Sequence, residues 1–461
     1  MKKYDIIIAG AGASGVFLSY ELAKLDNKAK ILMVDKGAPL EKRVCPIKLG
    51  KVNNCIKCEP CHIMNGYGGA GTLSDGKYNI TTQFGGDLHK YIGQEEALDL
   101  MEYVDEVLCS FGGADAKLYS TANSELKTTA LRNNLHLLDA KVRHLGTDRN
   151  VQILERIFNH TTSRIDTEFY STIYEVTRNE DGTFIVKTNK GGEYVCNDLV
   201  LATGRSGSKW ISSVCDQMGI ALEKNRVDIG VRVELPGEIF KHITDEVYES
   251  KIVYKTDKYN DMVRTFCMNP YGEVVAENTN GIVTVNGHSY ADPSLRTENT
   301  NFALLVSNKF TEPFKDSNEY GESIARLSNM LGGGVLLQRF GDLVKGRRSS
   351  DRRMGKCFTR PTLKATPGDL SLVIPKRQLD NIIEMIYALD KIAPGTANED
   401  TLLYGVEVKF YNSRVEVDAN LETKVKGLFA LGDGSGVTHS LSQASASGVH
   451  LGRILAKKYA K

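Results

Sequence analysis

An excess of charge of either sign is missing from this sequence: 58 lysines and arginines stand against 57 aspartates and glutamates. With the two balanced, no whole-molecule field would hold the chain on nucleic acid or on an anionic membrane, so any charged partner must be met locally. A long apolar run is missing too. The opening stretch MKKYDIIIAGAGASG sets two lysines before apolar residues, but the run is far shorter than a signal core and ends in a glycine turn instead of a cleavage site. No later stretch approaches the roughly 18 apolar residues of a membrane span, and we expect a cytoplasmic protein. The nine cysteines are odd in number and irregularly spaced, which argues against a disulfide scaffold in that reducing compartment. Repeats and low-complexity tracts are absent, as are a Ser-His-Asp arrangement, H-E-x-x-H and a P-loop. What remains at 461 residues is a multidomain enzyme, with about two to three domains.

What is present begins with the segment YDIIIAGAGASGVFLSYELAKL. Ile6, Ile7 and Ile8 form a β-branched apolar run that suits a strand buried on both faces. Gly10, Gly12 and Gly15 follow as G-x-G-x-x-G, enclosing Ala13 and Ser14, and an amphipathic helical pattern continues through Val16, Leu18, Leu22 and Leu25. A second strand, AKILMVDKG, ends at Asp35 and Lys36, with Asp35 placed 20 residues after Gly15. This is the setting a dinucleotide fingerprint requires. Gly10 permits the tight turn, Gly12 lets the backbone approach a pyrophosphate, and Gly15 lets helix and strand pack, while the helix N-terminus faces phosphate charge. Asp35 would accept hydrogen bonds from ribose hydroxyls.

Two distant segments choose between dinucleotides. DLVLATGRS (198–206) and GLFALGDGSG (427–436) each run from an apolar strand into a glycine turn. With the fingerprint, they resemble the three-part signature of FAD enzymes of the glutathione-reductase and hydroxybenzoate-hydroxylase type. The resemblance implies adenosine-side contacts from Thr203, Gly204 and Arg205, and a ribityl contact from Asp433 after Gly432. The last helix, with Ser442 and Gln443, would present NH groups at the flavin's pyrimidine end. GGAGTLSDGK (68–77), RHLGTD, DIGVRVE, GEVVAENTNGIVTVNGHSY and SQASASGV, in that order, further resemble a group of FAD-dependent dehydrogenases distantly similar to geranylgeranyl reductases.

The implied fold class is α/β. A discontinuous Rossmann-like FAD-binding domain is expected from 1–90, 150–212 and 401–461, with a three-stranded β insertion whose hairpin turns are NEDG and NKGG. Residues 91–149 read as largely helical, preceded by the cysteine-rich loop 45–61, and 213–400 as an α+β substrate-capping domain. A second dinucleotide fingerprint is missing, because MLGGGVLLQRFGD lacks the preceding strand and the spacing. Reducing equivalents would therefore come from a transiently bound NAD(P)H, an electron-donor protein or the small-molecule substrate itself.

Cys55, Cys58 and Cys61 are spaced C-x2-C-x2-C, with Cys45 ten residues upstream. Short loops of this kind can direct thiolates at one [4Fe-4S] cluster, whereas zinc more often takes two separated C-x2-C knuckles. A redox thiol pair and inert thiols are the other readings, and His62 could stand in as a ligand. The adjoining loop would pass its backbone close to a flavin at Gly69 and Gly71, with Ser74 and Asp75 able to bond the ring's edge. His288, His439 and Tyr290 are the candidate proton donors, since His titrates near neutral pH.

Residues 344–360 concentrate Lys345, Arg347, Arg348, Arg352, Arg353, Lys356 and Arg360, either as a solvated loop or for a carboxylate, a phosphate or an acidic carrier. The expected activity is hydride transfer between FAD and an organic substrate, reducing or forming a C=C bond. A flavin monooxygenase is the rival, though GDGSG replaces the usual Gly-Asp-Ala. A flavin or thiol redox sensor is another, and an RNA-modifying flavoprotein is disfavoured by the balanced charge.

Overall fold

A computed structural model describes residues 1–460 except 47–48, 52–55, 57, 123–124, 280, 291, 311–313 and 315. The chain divides into two units, one of Met1–Leu118, Val142–Lys224 and Asn412–Lys461, the other of Tyr119–Lys141 and Asn225–Tyr411.

In the first unit, β1 (Lys2–Ala9) lies parallel to β2 (Ile31–Val34) on one side and to strand Glu193–Leu201 on the other. Helix α1 (Ala13–Lys24) makes the crossover between β1 and β2. Ile6, Ile7 and Ile8 are fully buried, because a central parallel strand has no solvent face. Strand Leu428–Ala430 extends the parallel set, and Asp166–Glu168 adds an edge beside β2. The expected insertion is an antiparallel meander, Ile173–Arg178, Phe184–Thr188 and Glu193–Leu201. Its turns use Gly182 and Gly191, both at positive φ. The C-terminal helix Leu441–Lys458 packs on α1 through small residues: a Cβ on Gly448 would lie 2.2 Å from the Ser14 carbonyl oxygen. These are the parallel sheet, crossover helix and glycine turn of a Rossmann-type fold.

The second unit is built on an eight-stranded sheet. Its order is Thr366–Pro367, Leu336–Arg339, Leu402–Phe410, Val227–Pro236, Asn299–Asn308, Met262–Asn269, Ile252–Lys255 and Leu135–Leu137. Along Val227–Pro236, the odd residues Val227, Ile229, Val231, Val233 and Leu235 enter an apolar core with helices Gly237–Val247 and Lys376–Asp390. Burying each such side chain contributes about 1.5–3 kcal/mol. The even residues Asp228, Arg232 and Glu234 are equally buried but point to the opposite, polar face. A separate hairpin pairs Glu273–Thr279 with Ile282–His288.

The boundaries depart from those read in the sequence. Residues 119–141 join the second unit because Leu135–Leu137 pairs with Ile252–Lys255. Residues 91–118 stay in the first unit. The closing segment starts at 412 instead of 401, since Leu402–Phe410 is a central strand of the second sheet, hydrogen-bonded to Val227–Pro236.

Candidate functional site

The turn from β1 into α1 shows what each glycine does. Gly10 has φ +114°, and a Cβ there would lie 2.7 Å from the Ala202 carbonyl oxygen. A Cβ on Gly15 would lie 2.1 Å from the Gly10 carbonyl oxygen, so helix and turn meet without a side chain between them. Gly12 differs. The nearest atom to its would-be Cβ is the Ala202 carbonyl oxygen at 4.0 Å, so the space is open. Gly12 is also the N-cap of α1, and no side chain caps that helix end. The turn thus leaves an open, uncapped helix N-terminus, which is where a pyrophosphate would be held. Ala13 begins the helix, and the Ser14 hydroxyl donates to the Ala202 carbonyl at 3.4 Å.

Asp35 ties three segments together. One carboxylate oxygen accepts from the Ala11 amide at 2.8 Å, and the other from the amides of Gly37 (2.7 Å) and Gly66 (3.0 Å). It holds these segments together while retaining acceptor capacity on the oxygen that faces Ala11. Lys36 beside it is half-buried.

The glycine loop 66–71 folds back over the fingerprint. The Gly68 amide donates to the Ala11 carbonyl at 2.7 Å, and a Cβ on Gly69 would lie 3.1 Å from the Gly12 Cα. Gly71 abuts the Leu441 side chain. The Ser74 hydroxyl donates to the Gly71 carbonyl at 2.6 Å, and Asp75 forms an ion pair with Lys77 at 2.9 Å. Both side chains are engaged in shaping this loop.

Thr203, Gly204, Gly432 and Asp433 come together with the fingerprint in the first unit. Gly432, at φ +72°, would bring a Cβ 2.4 Å from the Ser14 hydroxyl, and the Gly434 amide donates to the Thr203 carbonyl at 2.9 Å. Asp433 accepts from the Thr438 hydroxyl at 3.1 Å. Arg205 is exposed. The Thr203, Ser442 and Ser445 hydroxyls are buried and have no hydrogen-bond partner among the described residues. Ser442 and Ser445 share the helix face that carries Gly448 to Ser14 one turn later. Buried hydroxyls without partners are costly unless a ligand completes them, so the residues fit a dinucleotide. Gln443 has a different engagement: its amide nitrogen donates to the Thr81 and Phe84 carbonyls at 3.2 and 3.1 Å, while its oxygen accepts from the Leu88 amide at 3.3 Å.

Several residues that shape this site carry no sequence signal. The Arg43 guanidinium donates to the carbonyls of His62 (2.9 Å), Ile63 (2.6 Å) and Tyr67 (2.6 Å), pinning the cysteine loop to the glycine loop. Burial pulls its pKa down to about 10, with Asp35 and Cys61 opposing the fall. Asn150 holds the Gly71 and Thr72 carbonyls, and Asn412 holds the Asp433 carbonyl. Only the extended G-x-G-x-x-G context could have marked their neighbourhood.

Of the four candidate metal ligands, Cys45, Cys58 and Cys61 are half-buried free thiols and Cys55 lies outside the described residues. Among the described residues, no group of three His, Cys, Asp or Glu side chains stands in a metal-holding arrangement. Burial pushes the Cys215 and Cys357 thiols up to about 11, which makes them inert.

The proton-donor candidates separate between the units. His439 is half-buried in the first unit, where its amide donates to the Gly85 carbonyl at 2.9 Å, and the nearby Asp87 carboxylate is held by Lys90 at 3.0 Å and by Arg414. His288 and Tyr290 sit together in the second unit, ring centroids 4.9 Å apart and edge to face. The Tyr290 hydroxyl donates to Glu273, and that bond, with burial, pushes its pKa up to about 12, so it holds its proton at neutral pH. The basic run is partly folded inward: Arg347 and Arg353, with Arg339, converge on buried Asp342 at 2.7, 3.7 and 3.6 Å. Lys345 pairs with Glu399 at 2.5 Å, while Arg348, Arg352, Lys356 and Arg360 are exposed.

No helix among the described residues is long and apolar enough to cross a membrane. The whole chain is similar to an uncharacterised protein of Clostridium beijerinckii, 25% identical over 473 residues that cover 98% of this chain and 81% of that one. Among solved structures it aligns with glycine oxidase from Geobacillus kaustophilus at 11% identity and a TM-score of 0.41, covering 99% of this chain and 95% of that chain. L-α-glycerophosphate oxidase from Mycoplasma pneumoniae with FAD bound aligns at 10% identity and a TM-score of 0.40, covering 99% and 95%. Escherichia coli quinol fumarate reductase aligns at 13% and 0.45, covering 100% of this chain and 71% of that chain. Residues 226–410 match the family model described as FAD-dependent protein, C-terminal domain-like.

Proposed function

We propose that the chain is an FAD-dependent oxidoreductase that holds its flavin non-covalently and exchanges a hydride with an organic substrate, reducing or forming a C=C bond. The observation that carries the reading is the open, uncapped N-terminus of α1 at Gly12, edged by the unpartnered buried hydroxyls of Thr203, Ser442 and Ser445. The match of residues 226–410 to an FAD-dependent family model supports the same cofactor. When bound, FAD supplies a two-electron carrier whose N5 gives or takes the hydride. The chain's residues bind and orient it. The α1 amides and Gly12 receive the pyrophosphate, Asp35 takes the adenosine ribose, Asp433 a ribityl hydroxyl, and the 66–71 loop approaches the ring. His439 handles the accompanying proton. Cys45, Cys55, Cys58 and Cys61 are the place for an electron inlet, either a [4Fe-4S] cluster or a thiol pair.

An ultraviolet-visible spectrum of protein purified without oxygen, with iron and sulfide assayed on the same sample, tests this. Flavin bands are expected. A colourless protein that does not bind added FAD would overturn the reading. About four iron and four sulfide per chain would assign the cysteines to a cluster, and their absence beside a clean flavin spectrum would leave them as thiols.

A further inference from the structure

The polar face of the second unit's sheet gathers positive charge around one aromatic ring. Arg264 and Phe266 alternate on strand Met262–Asn269 and so share a face. The Lys409 ammonium lies 4.0 Å from the Phe266 ring centroid, the Lys251 ammonium 4.2 Å, and the Arg264 guanidinium carbon 4.9 Å. Three cationic heads on one ring repel one another, and the ring's quadrupole offsets that only in part.

Carboxylates nearby hold Arg264, Lys251 and the adjoining Arg232 in place. Asp228 accepts from Arg264 Nη2, from the Tyr411 hydroxyl at 2.7 Å and from the Ser307 hydroxyl at 2.6 Å. Glu249 pairs with Lys251. Both oxygens of Glu407 are taken by Arg232 at 2.7 Å. Arg264 is therefore clamped through one nitrogen, and its Nε is buried with no hydrogen-bond partner among the described residues. A rigidly held guanidinium with an idle donor, beside two ammonium groups and an aromatic wall, has the chemistry that recognises an anion.

We propose that this face binds a carboxylate or phosphate, anchored by Arg264 Nε and by the Lys409 and Lys251 ammonium groups that Phe266 gathers. As the anchor of the substrate this rests on the oxidoreductase reading; as an anion site it stands on the geometry alone.

The test titrates full-length holoprotein by calorimetry with benzoate and, separately, with inorganic phosphate, at constant ionic strength made up with chloride. Wild type, Lys409→Met and Arg264→Lys are compared, with circular dichroism and flavin absorbance recorded on each sample. Saturable binding of either probe by the wild type, weakened about tenfold or more in folded Lys409→Met, supports the site. Benzoate alone would identify a carboxylate and phosphate alone a phosphorylated substrate. No saturable binding of either probe, or binding equal in wild type and Lys409→Met, overturns it. If Arg264→Lys fails to fold, Lys409→Met alone decides. A colourless protein that still binds the anion keeps this site and removes the oxidoreductase reading, whereas a flavin-bearing protein that binds neither probe does the reverse.

Discussion

Gly12 and Gly15 stand three residues apart and answer to different demands. A Cβ at Gly15 meets the Gly10 carbonyl oxygen at 2.1 Å, so Gly15→Ala should destabilise the fold by about 1–3 kcal/mol, read as a lower urea midpoint. At Gly12 a side chain enters open space. Gly12→Val should unfold within about 0.5 kcal/mol of FAD-free wild type yet yield colourless protein, and full flavin retention would count against the fingerprint as the pyrophosphate site. Arg43 makes a second contrast. Removing its guanidinium in Arg43→Met strands three carbonyls, each charge-assisted bond being worth about 1.5–3 kcal/mol, and Arg43→Lys should not rescue because one ammonium cannot match the planar fork. Thermal melts of the two variants beside wild type check this. The glycines were readable because the fingerprint sets their spacing within one βα turn. Arg43, Asn150 and Asn412 were not, since each serves a carbonyl on another segment and a lone polar residue gives no period or spacing.

Strand Val227–Pro236 places two buried acids on one face with opposite titrations. At Asp228, burial raises the carboxyl pKa, but Arg264 and Arg226 more than reverse this and hold it well below the usual carboxylate range. A depressed folded pKa gives stability that is complete above the unfolded value of about 3.9 and is lost as pH falls through the folded one. Glu234 receives only neutral donors, Tyr404, Thr362 and Asn299, so burial keeps its pKa raised. Its contribution is present below the unfolded value of about 4.3 and declines as pH rises through the folded one. Urea midpoints across pH should therefore show that Asp228→Asn flattens the acid limb and Glu234→Gln flattens the decline above it; unchanged profiles would contradict the burial seen. Alternation made this strand legible, since odd positions are apolar and even ones polar. That the polar side is also buried was not legible, because burial of the second face depends on what covers it. The same limit hid Leu135–Leu137, too short to carry a pattern and meaningful only as the partner of Ile252–Lys255.

The chain passes between its two units at residues 118/119, 141/142, 224/225 and 411/412. Residues 225–411 expressed alone should aggregate, because without 119–141 the edge of the eight-stranded sheet at Ile252–Lys255 is bare, and supplying 119–141 through a flexible linker should restore solubility by light scattering. The exact seams were not legible in the sequence, since the crossing points fall within short connections whose composition resembles other turns. The order of these segments has a consequence for how the protein is made. Gly432, Asp433, Ser442 and Ser445 all belong to the segment after residue 411, so the first unit's pocket cannot be closed until that segment has left the ribosome. Until then α1 lacks the Leu441–Lys458 helix it packs on, and the growing chain must keep an unfinished N-terminal layer waiting while the second unit folds. Acquisition of colour would then report translation through the helix Leu441–Lys458, and a message cut short anywhere before it would give a product that no supply of cofactor can mend.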